Sequence, residues 1–187
     1  MSFFKMMTPN RSNEELIDMK KEKRMSETRT IQTSNVLPPD TNHYGTLFGG
    51  KLMAYIDNVA SISATKHARM PVVTASTDSV DFLQPIRVGD AVTLESFVTY
   101  TGRSSMEVFV RVTTEKLLTG EQSVAAISFL TFVALGPDGK PAEIPQIIAE
   151  TEEEKWLNET AVNRSSHRKA RKMHSMELAA FFSKNQQ

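Results

Sequence analysis

Cysteine is absent from the 187-residue sequence. That absence excludes disulfides, thiolate nucleophiles, thioredoxin-type exchange, cysteine-ligated zinc and iron–sulfur clusters together. It suits a reducing cytoplasm, the compartment expected here. An excess of one charge is missing too: 22 Lys and Arg balance 22 Asp and Glu, so no global field draws the chain to nucleic acid or to an anionic membrane. No apolar run approaches the roughly 18 residues of a membrane span, and the first residues lack the apolar core and cleavage site of a secretory signal. Neither membrane insertion nor a nucleic-acid partner is expected. Nucleophile-elbow, zincin, dinucleotide and calcium-loop motifs are absent as well. One near miss exists: Gly45-Thr46-Leu47-Phe48-Gly49-Gly50-Lys51-Leu52 fits G-x-x-x-x-G-K but ends in Leu where a phosphate loop needs Ser or Thr for magnesium.

The length bounds the answer to one compact domain with short appendages. Three zones separate by composition. Residues 1–28 have mixed charge and no strand alternation and read as an arm, with Met19 and Met25 as further candidate starts. Residues 29–145 carry the regular patterning. Thr30 to Leu37 has β character and stops at Pro38-Pro39. Leu52, Ile56, Val59 or Ala60 and Ser63 recur at helical spacing, with no Gly or Pro between Gly50 and Pro71, so one long helix is expected over about 47–67. Its many small residues predict close approach by another layer. Four β-rich runs follow, Val72–Phe82, Ala91–Thr101, Ser104–Leu118 and Gln122–Leu135, split by Gly- and Pro-bearing turns. Short turns between successive strands predict an antiparallel meander, and strand, helix, four strands is an α+β order. Residues 146–187 form a helical extension. Thr151-x-x-Glu154 is a capping box, and acids precede the bases Arg164, Arg168, Lys169, Arg171 and Lys172. A solvated or packing helix is the plainer reading of that extension, and a phosphate or subunit contact by the basic block is the other.

Gly45, Gly49 and Gly50 stand where the long helix begins, and such an N-terminus offers unpaired N–H groups and a positive dipole end to a developing oxyanion. Asp57 lies farther along in a mainly apolar stretch with no helical cation beside it. It faces water, meets a partner from elsewhere in the fold, or does chemistry. Gly50 and Asp57 are seven residues apart, within roughly 20° on one helix face and roughly 10 Å along the axis. That spacing suits a carbonyl and a water held between a carboxylate base and the Gly49 and Gly50 amides. Asn42, in the loop leading to the glycines, is either a turn residue or a second polar participant. His43 reads as a surface residue, and His67, His167 and His174 show no metal-ligand spacing.

The pattern Asn42-x-x-Gly45-x-x-x-Gly49-Gly50-x-x-Met53-x-x-x-Asp57 is followed by Val73-Thr74, Asp81-Phe82-x-x-Pro85-x-x-x-Gly89-Asp90, Thr101-Gly102-Arg103-Ser104-Ser105-Met106 and Phe129-x-x-Phe132-Val133-Ala134. Together they resemble the hotdog-fold acyl-CoA thioesterases, in particular the bacterial acyl-CoA hydrolase group related to YciA and to brain acyl-CoA hydrolase. The resemblance covers roughly residues 28–145. It implies one long helix wrapped by a curved antiparallel sheet of five to six strands, paired into dimers and often into trimers of dimers, with active sites between subunits. It implies hydrolysis of acyl-CoA to free fatty acid and coenzyme A. Asp57 would be base or nucleophile, Asn42 would assist from the partner subunit, and the Gly49 and Gly50 amides would polarise the thioester. The turn Gly102, Arg103, Ser104 and Ser105 would contact coenzyme A. No cofactor or metal is implied, because a thioester is already activated. Met53, Phe82 and Phe132 are candidates for the acyl pocket, although ordinary core is the plainer reading of any one of them. Two rivals keep the fold: a dehydratase, which would want a histidine near Asp57, and a non-catalytic acyl-CoA sensor. A third is a nucleic-acid binder acting through the basic helix.

Overall fold

The computed structural model describes residues 21–184. Seven strands and two α-helices follow in the order β1 (Glu22–Arg24), β2 (Thr30–Asn35), α1 (Gly49–Ala68), β3 (Val72–Phe82), β4 (Ala91–Thr101), β5 (Ser105–Lys116), β6 (Glu121–Ala134), β7 (Gln146–Ile148) and α2 (Glu152–Lys184). Single 3-10 turns lie at Met25–Thr28 and Pro38–Asp40. The expected strands and long helix all form, with β3 and β4 ending where Pro71, the Gly89-Asp90 turn and Gly102 interrupt the β pattern.

Strand order differs from a simple meander. The main antiparallel sheet runs β2-β4-β5-β6-β3. Thus β4, β5 and β6 are joined by hairpins as their turns predict, whereas β3 crosses over to pair with β6 at the far edge, Thr74 opposite Phe132. The Gly136–Gly139 turn closes only a single bridge, Leu135 to Pro141. A second sheet of two short parallel strands, β1 and β7, joins residues 22–24 to 146–148.

Alternation along the strands builds two cores, one on each sheet face. On the first face Val92, Leu94, Val98, Val108, Leu130 and Phe132 pack against Leu52, Ile56, Val59 and Ala60 of α1. The small helix residues allow the close approach: Ser63 Oγ lies 2.7 Å from Ser96 Oγ, and Ser96 Oγ donates to the Val59 carbonyl at 2.9 Å. On the second face Phe97, Phe109 and Phe129 form an edge-stacked row covered by Met25, Leu157 and Ile147. Both faces being covered explains why β4 and β5 are buried almost continuously.

Residues 22–28 therefore belong to the body of the molecule. Met25 is fully buried, and the Thr28 hydroxyl accepts from the Val98 amide at 3.0 Å. The remainder of the expected arm lies outside the described residues. Helix α2 opens on the anticipated capping box: the Glu154 amide donates to Thr151 Oγ1 at 3.2 Å, and Glu154 Oε2 accepts from the amides of Thr151 and Glu150.

The basic block of α2 is largely spent inside the fold. Arg164 stacks over the Phe129 ring at 4.2 Å and donates to the buried Glu107 carboxylate, which also accepts from Thr99. Arg168 and Arg171 reach Asp78 of β3 at 2.8 and 2.6 Å. Burial alone would raise the Asp78 carboxyl; hydrogen bonds from Ser76, Arg168 and Thr131, together with the Arg168 charge, outweigh it and hold that group below its ordinary value. Three arginines of the block thus pair with carboxylates of the sheet, while Lys169 and Lys172 are exposed.

Candidate active site

The site is organised by the outward face of α1 and the edge strand β3. Helix α1 starts at Gly49 with Phe48 as N-cap, and no side chain caps it. The first bonds to its N-terminal turn run from Lys51 and Leu52 to the Phe48 carbonyl, so the amides of Gly49 and Gly50 precede the intrahelical ladder. Space is tight around them. A Cβ on Gly49 would sit 3.6 Å from Phe82 Cζ, and one on Gly50 would fall 2.6 Å from Phe48 Cε1. Two bare backbone amides next to two half-exposed phenyl rings make a positively polarised corner with apolar walls. A cavity of about 400 Å³ opens there, lined by Thr46, Leu47, Gly49, Leu52 and Phe82 with the 83–86 segment.

Asp57 sits two turns along α1 on the exposed face, with Met53 one turn before it. It lies outside the cavity lining and is solvent-exposed in one chain. Its Oδ1 accepts a 2.9 Å hydrogen bond from Thr74 Oγ1 of β3. Thr74 stands opposite Phe132, so its side chain points to the helix side of the sheet. Asp57 thus meets a partner from elsewhere in the fold, one that fixes one oxygen and leaves the other free to take a proton. Sequence reasoning included Thr74 in a motif without giving it a role; the signal available was one of two threonines inside a β run, and it needed the register to become meaningful.

The other expected residues divide. Met53 and Phe82 are exposed at the cavity end of α1, and Phe132 is 1% exposed within the core rather than at the cavity. Asn42 closes its own loop, accepting at Oδ1 from the Tyr44 amide at 2.9 Å and donating through Nδ2 to Thr46 Oγ1 at 2.9 Å. The turn Gly102–Ser105 is locked by the Gly102 amide on the Ser105 carbonyl, while the carbonyls of Arg103 and Ser104 accept from Ile144 and Ala134. The Arg103 side chain is exposed. This turn adjoins the end of β6 that pairs with Val72, near the C-terminus of α1, whereas the glycines open the other end of a helix about 30 Å long. One chain therefore unites Asp57, Thr74, the glycine amides, Met53 and Phe82 along one helix face, and leaves Asn42 and the Gly102–Ser105 turn apart from Asp57. Among the described residues no group of three or more His, Asp or Glu is placed to hold a metal ion, and no helix is long and apolar enough to cross a membrane.

A helix wrapped by a five-stranded antiparallel sheet, with an acid and bare helix-start amides on its open side, defines a hotdog thioesterase architecture. Residues 44–121 match the thioesterase superfamily, and the chain belongs to that family. It is 60% identical to the acyl-CoA thioester hydrolase YkhA of Bacillus subtilis, over 82% of this chain and 89% of that protein. The acyl-CoA hydrolase of Staphylococcus aureus, solved with butyryl coenzyme A, coenzyme A and coenzyme A disulfide, superposes with a TM-score of 0.84 at 46% identity, covering 87% of this chain and 99% of that one. Variants of that enzyme with an asparagine, an aspartate or a threonine changed to alanine match as well, and the three positions are spaced by 15 and 17 residues. An apo-hexameric acyl-CoA thioesterase matches with a TM-score of 0.79 at 57% identity, over 80% of this chain and 96% of its own.

Proposed function

We propose that the protein hydrolyses acyl-CoA thioesters to fatty acid and coenzyme A, with Asp57 as the acid–base or nucleophilic carboxylate. The observation that carries the reading is the Thr74–Asp57 hydrogen bond on a helix that opens with uncapped Gly49 and Gly50. Asn42, Asp57 and Thr74 are themselves spaced by 15 and 17 residues, the spacing of the three positions varied in the Staphylococcus aureus enzyme, which supports the assignment. In the base form of the reaction, the free Asp57 oxygen takes a proton from water as the water oxygen bonds to the thioester carbon. Negative charge collects on the carbonyl oxygen, where the Gly49 and Gly50 amides point. The C–S bond then breaks, and the departing coenzyme A sulfur takes the proton back. In the nucleophile form the carboxylate bonds to the thioester carbon, the C–S bond breaks to release coenzyme A as thiolate, and water then adds to the anhydride, freeing the Asp57 carboxylate and the fatty acid while a proton from the water goes to the thiolate. Neither route calls on a cofactor, and the reducing cytoplasm suggested by the cysteine-free sequence is compatible with a thiol product.

The reading also includes a homodimer formed through β3, and trimers of such dimers. Among the described residues, strand β3, 11 residues long, is paired with no strand but β6, so its outer edge is open to a second strand apart from the Asp78 carbonyl, which accepts from Arg171. Antiparallel pairing of two β3 edges would exchange the ends of the subunits. It would carry the Asn42 loop and the Gly102–Ser105 turn of one copy toward the open helix face of the other, where Asp57, Met53 and Phe82 await a wall. Phe132 then serves beneath that wall as core.

The test is thiol release from acyl-CoAs of increasing chain length, which the cysteine-free chain leaves without background. Wild type turns over, and Asp57→Asn loses on the order of 10² to 10⁴ in rate while staying folded and binding substrate. Tight binding of acyl-CoA by wild type without thiol release would instead make the protein a sensor on the same fold.

A further inference from the structure

Helix α2 is longer than the sheet it covers. Asn158 Nδ2 donates to the Thr99 carbonyl of β4, Arg164 reaches Glu107 of β5, and Arg168 and Arg171 reach Asp78 of β3. The helix thus crosses from an inner strand to the edge strand between residues 158 and 171. That is about 20 Å of helix for three strand spacings of about 14 Å. The remaining 13 residues, 172–184, are exposed throughout. At the same slant they overhang the β3 edge by about three further strand widths.

The overhang keeps the facing stripe. Leu157, Ala161, Arg164, Arg168 and Arg171, the residues that lie toward the sheet, are spaced 4, 3, 4 and 3. The same alternation continues without a break through Ser175, Leu178 and Phe182. Up to Arg171 the stripe rests on this chain's own β-sheet; beyond it, a leucine 44% exposed and a phenylalanine 60% exposed face the same way with none of the described strands beneath them. Met173 and Phe181, on other sides of the helix, are also exposed. A helix segment apolar on several sides is one that is buried on several sides. What belongs under it is more sheet in the same plane, and the open β3 edge is where such a sheet would attach.

We infer that residues 172–184 form an arm lying across a second copy of this chain, on the sheet face continued through β3, side by side and antiparallel with that copy's own α2. The inference rests on the β3-paired assembly proposed above. A two-fold axis at the seam makes the contact reciprocal, so each subunit both grips and is gripped. Asp78 is the anchor on the near side: it is the extra residue of a β-bulge between Thr77 and Ser79, and Arg171 donates to both its carboxylate and its carbonyl. Catalytic edge and arm are thereby tied to the same strand.

Sedimentation of the full chain over a wide concentration range tests this, comparing wild type with the double variant Leu178→Asp, Phe182→Asp. Both side chains are exposed on α2, where Phe182 touches the neighbouring Phe181 ring, so the variant should fold normally and dissociate at a concentration at least about 100-fold higher than wild type. A wild type that is monomeric at every concentration overturns both the assembly and the arm. A wild-type oligomer that the double variant leaves equally tight overturns the arm alone. A photocrosslinker on Phe182→Cys, in a chain with no other thiol, gives a second readout independent of the aspartates. Links to β3 or α2 of another copy are expected, and links confined to other elements refute the arrangement.

Discussion

Thr74→Val isolates the contact on which the site turns. Valine keeps the shape and β-branching of threonine and deletes the hydroxyl that donates to Asp57 Oδ1 at 2.9 Å. A hydrogen bond to a charged group contributes roughly 1.5–3 kcal/mol net. If the bond holds the carboxylate in the orientation that receives the proton, that energy appears in the barrier. At 1.36 kcal/mol for each factor of ten, the loss in kcat is roughly 10- to 150-fold. Thr74 is exposed in one chain, so fold stability should change by no more than about 0.5 kcal/mol. Because Thr74 acts through Asp57 and not on the substrate, KM should stay near the wild-type value. The assay is thiol release with a short-chain acyl-CoA, and Thr74→Ser, which restores a hydroxyl, should recover most of the rate. A Thr74→Val enzyme as fast as wild type, or a Thr74→Ser enzyme as slow as Thr74→Val, would refute the assignment of a positioning role.

Two further outcomes follow from buried groups and a third from the start of α1. His67 is fully buried; burial pulls its imidazole down from 6.5 to about 4, against an opposing hydrogen bond to the Pro145 carbonyl. The unfolded chain therefore takes up a proton below pH 6.5 that the folded chain refuses, and stability is full above pH 6.5 and is lost by about 3 kcal/mol as pH falls toward 4. Urea midpoints at pH 7, 5 and 4 should show this slope in wild type and a shallower one in His67→Gln. Arg164→Ala leaves the Glu107 carboxylate, 1% exposed, short of its main cation, and thermal melts should report a loss of roughly 3–5 kcal/mol; an Arg164→Met, Glu107→Gln pair should recover much of it. Gly50→Ala places a methyl 2.6 Å from Phe48 Cε1. Phe48 is exposed enough to swing aside, so stability should change by less than about 1 kcal/mol while crowding at the amide lowers turnover at least about tenfold.

The elements read most readily from sequence were those with local punctuation. Pro71 ends the helix zone and Gly102 ends β4, and no tertiary information is needed to see either. Strand order was not available in that way. Pairing of β3 with β6, some 50 residues on, is decided by which edge the sheet leaves free once α1 has crossed it, and no residue of β3 announces its neighbour. The cover of the second face was legible only in part. Phe97, Phe109 and Phe129 alternate out of phase with the Val and Leu residues that face α1, which already says that both faces are apolar. Helix α2 hides its role as their lid because its sheet-facing stripe is mostly arginine, satisfied by Glu107 and Asp78 rather than by hydrophobic neighbours. In the site, Asp57 and the glycines share one helix and a simple period, so their common face follows from spacing. Thr74 and Phe132 needed the register: the same pairing that sends Phe132 into the core turns Thr74 toward Asp57.

Strand β3 carries three duties that would ordinarily conflict. A long uncovered edge is an aggregation hazard, and proteins commonly blunt such edges with lysine, proline or bulges. Here lysine and proline are absent from Val72–Phe82, and two register shifts, after Thr74 and after Thr77, are the only interruption. The first shift lies beside the hydroxyl that holds Asp57, and the second exposes Asp78 to the arginines of α2. Both contacts lie within one chain and depend on the β3–β6 register: a slip of one residue between those two strands would turn Thr74 away from Asp57 and Asp78 away from Arg168. The Thr74–Asp57 contact therefore depends on how β3 joins its own sheet, while the β3-paired assembly proposed above bears on the site through the walls that a second copy would bring to it.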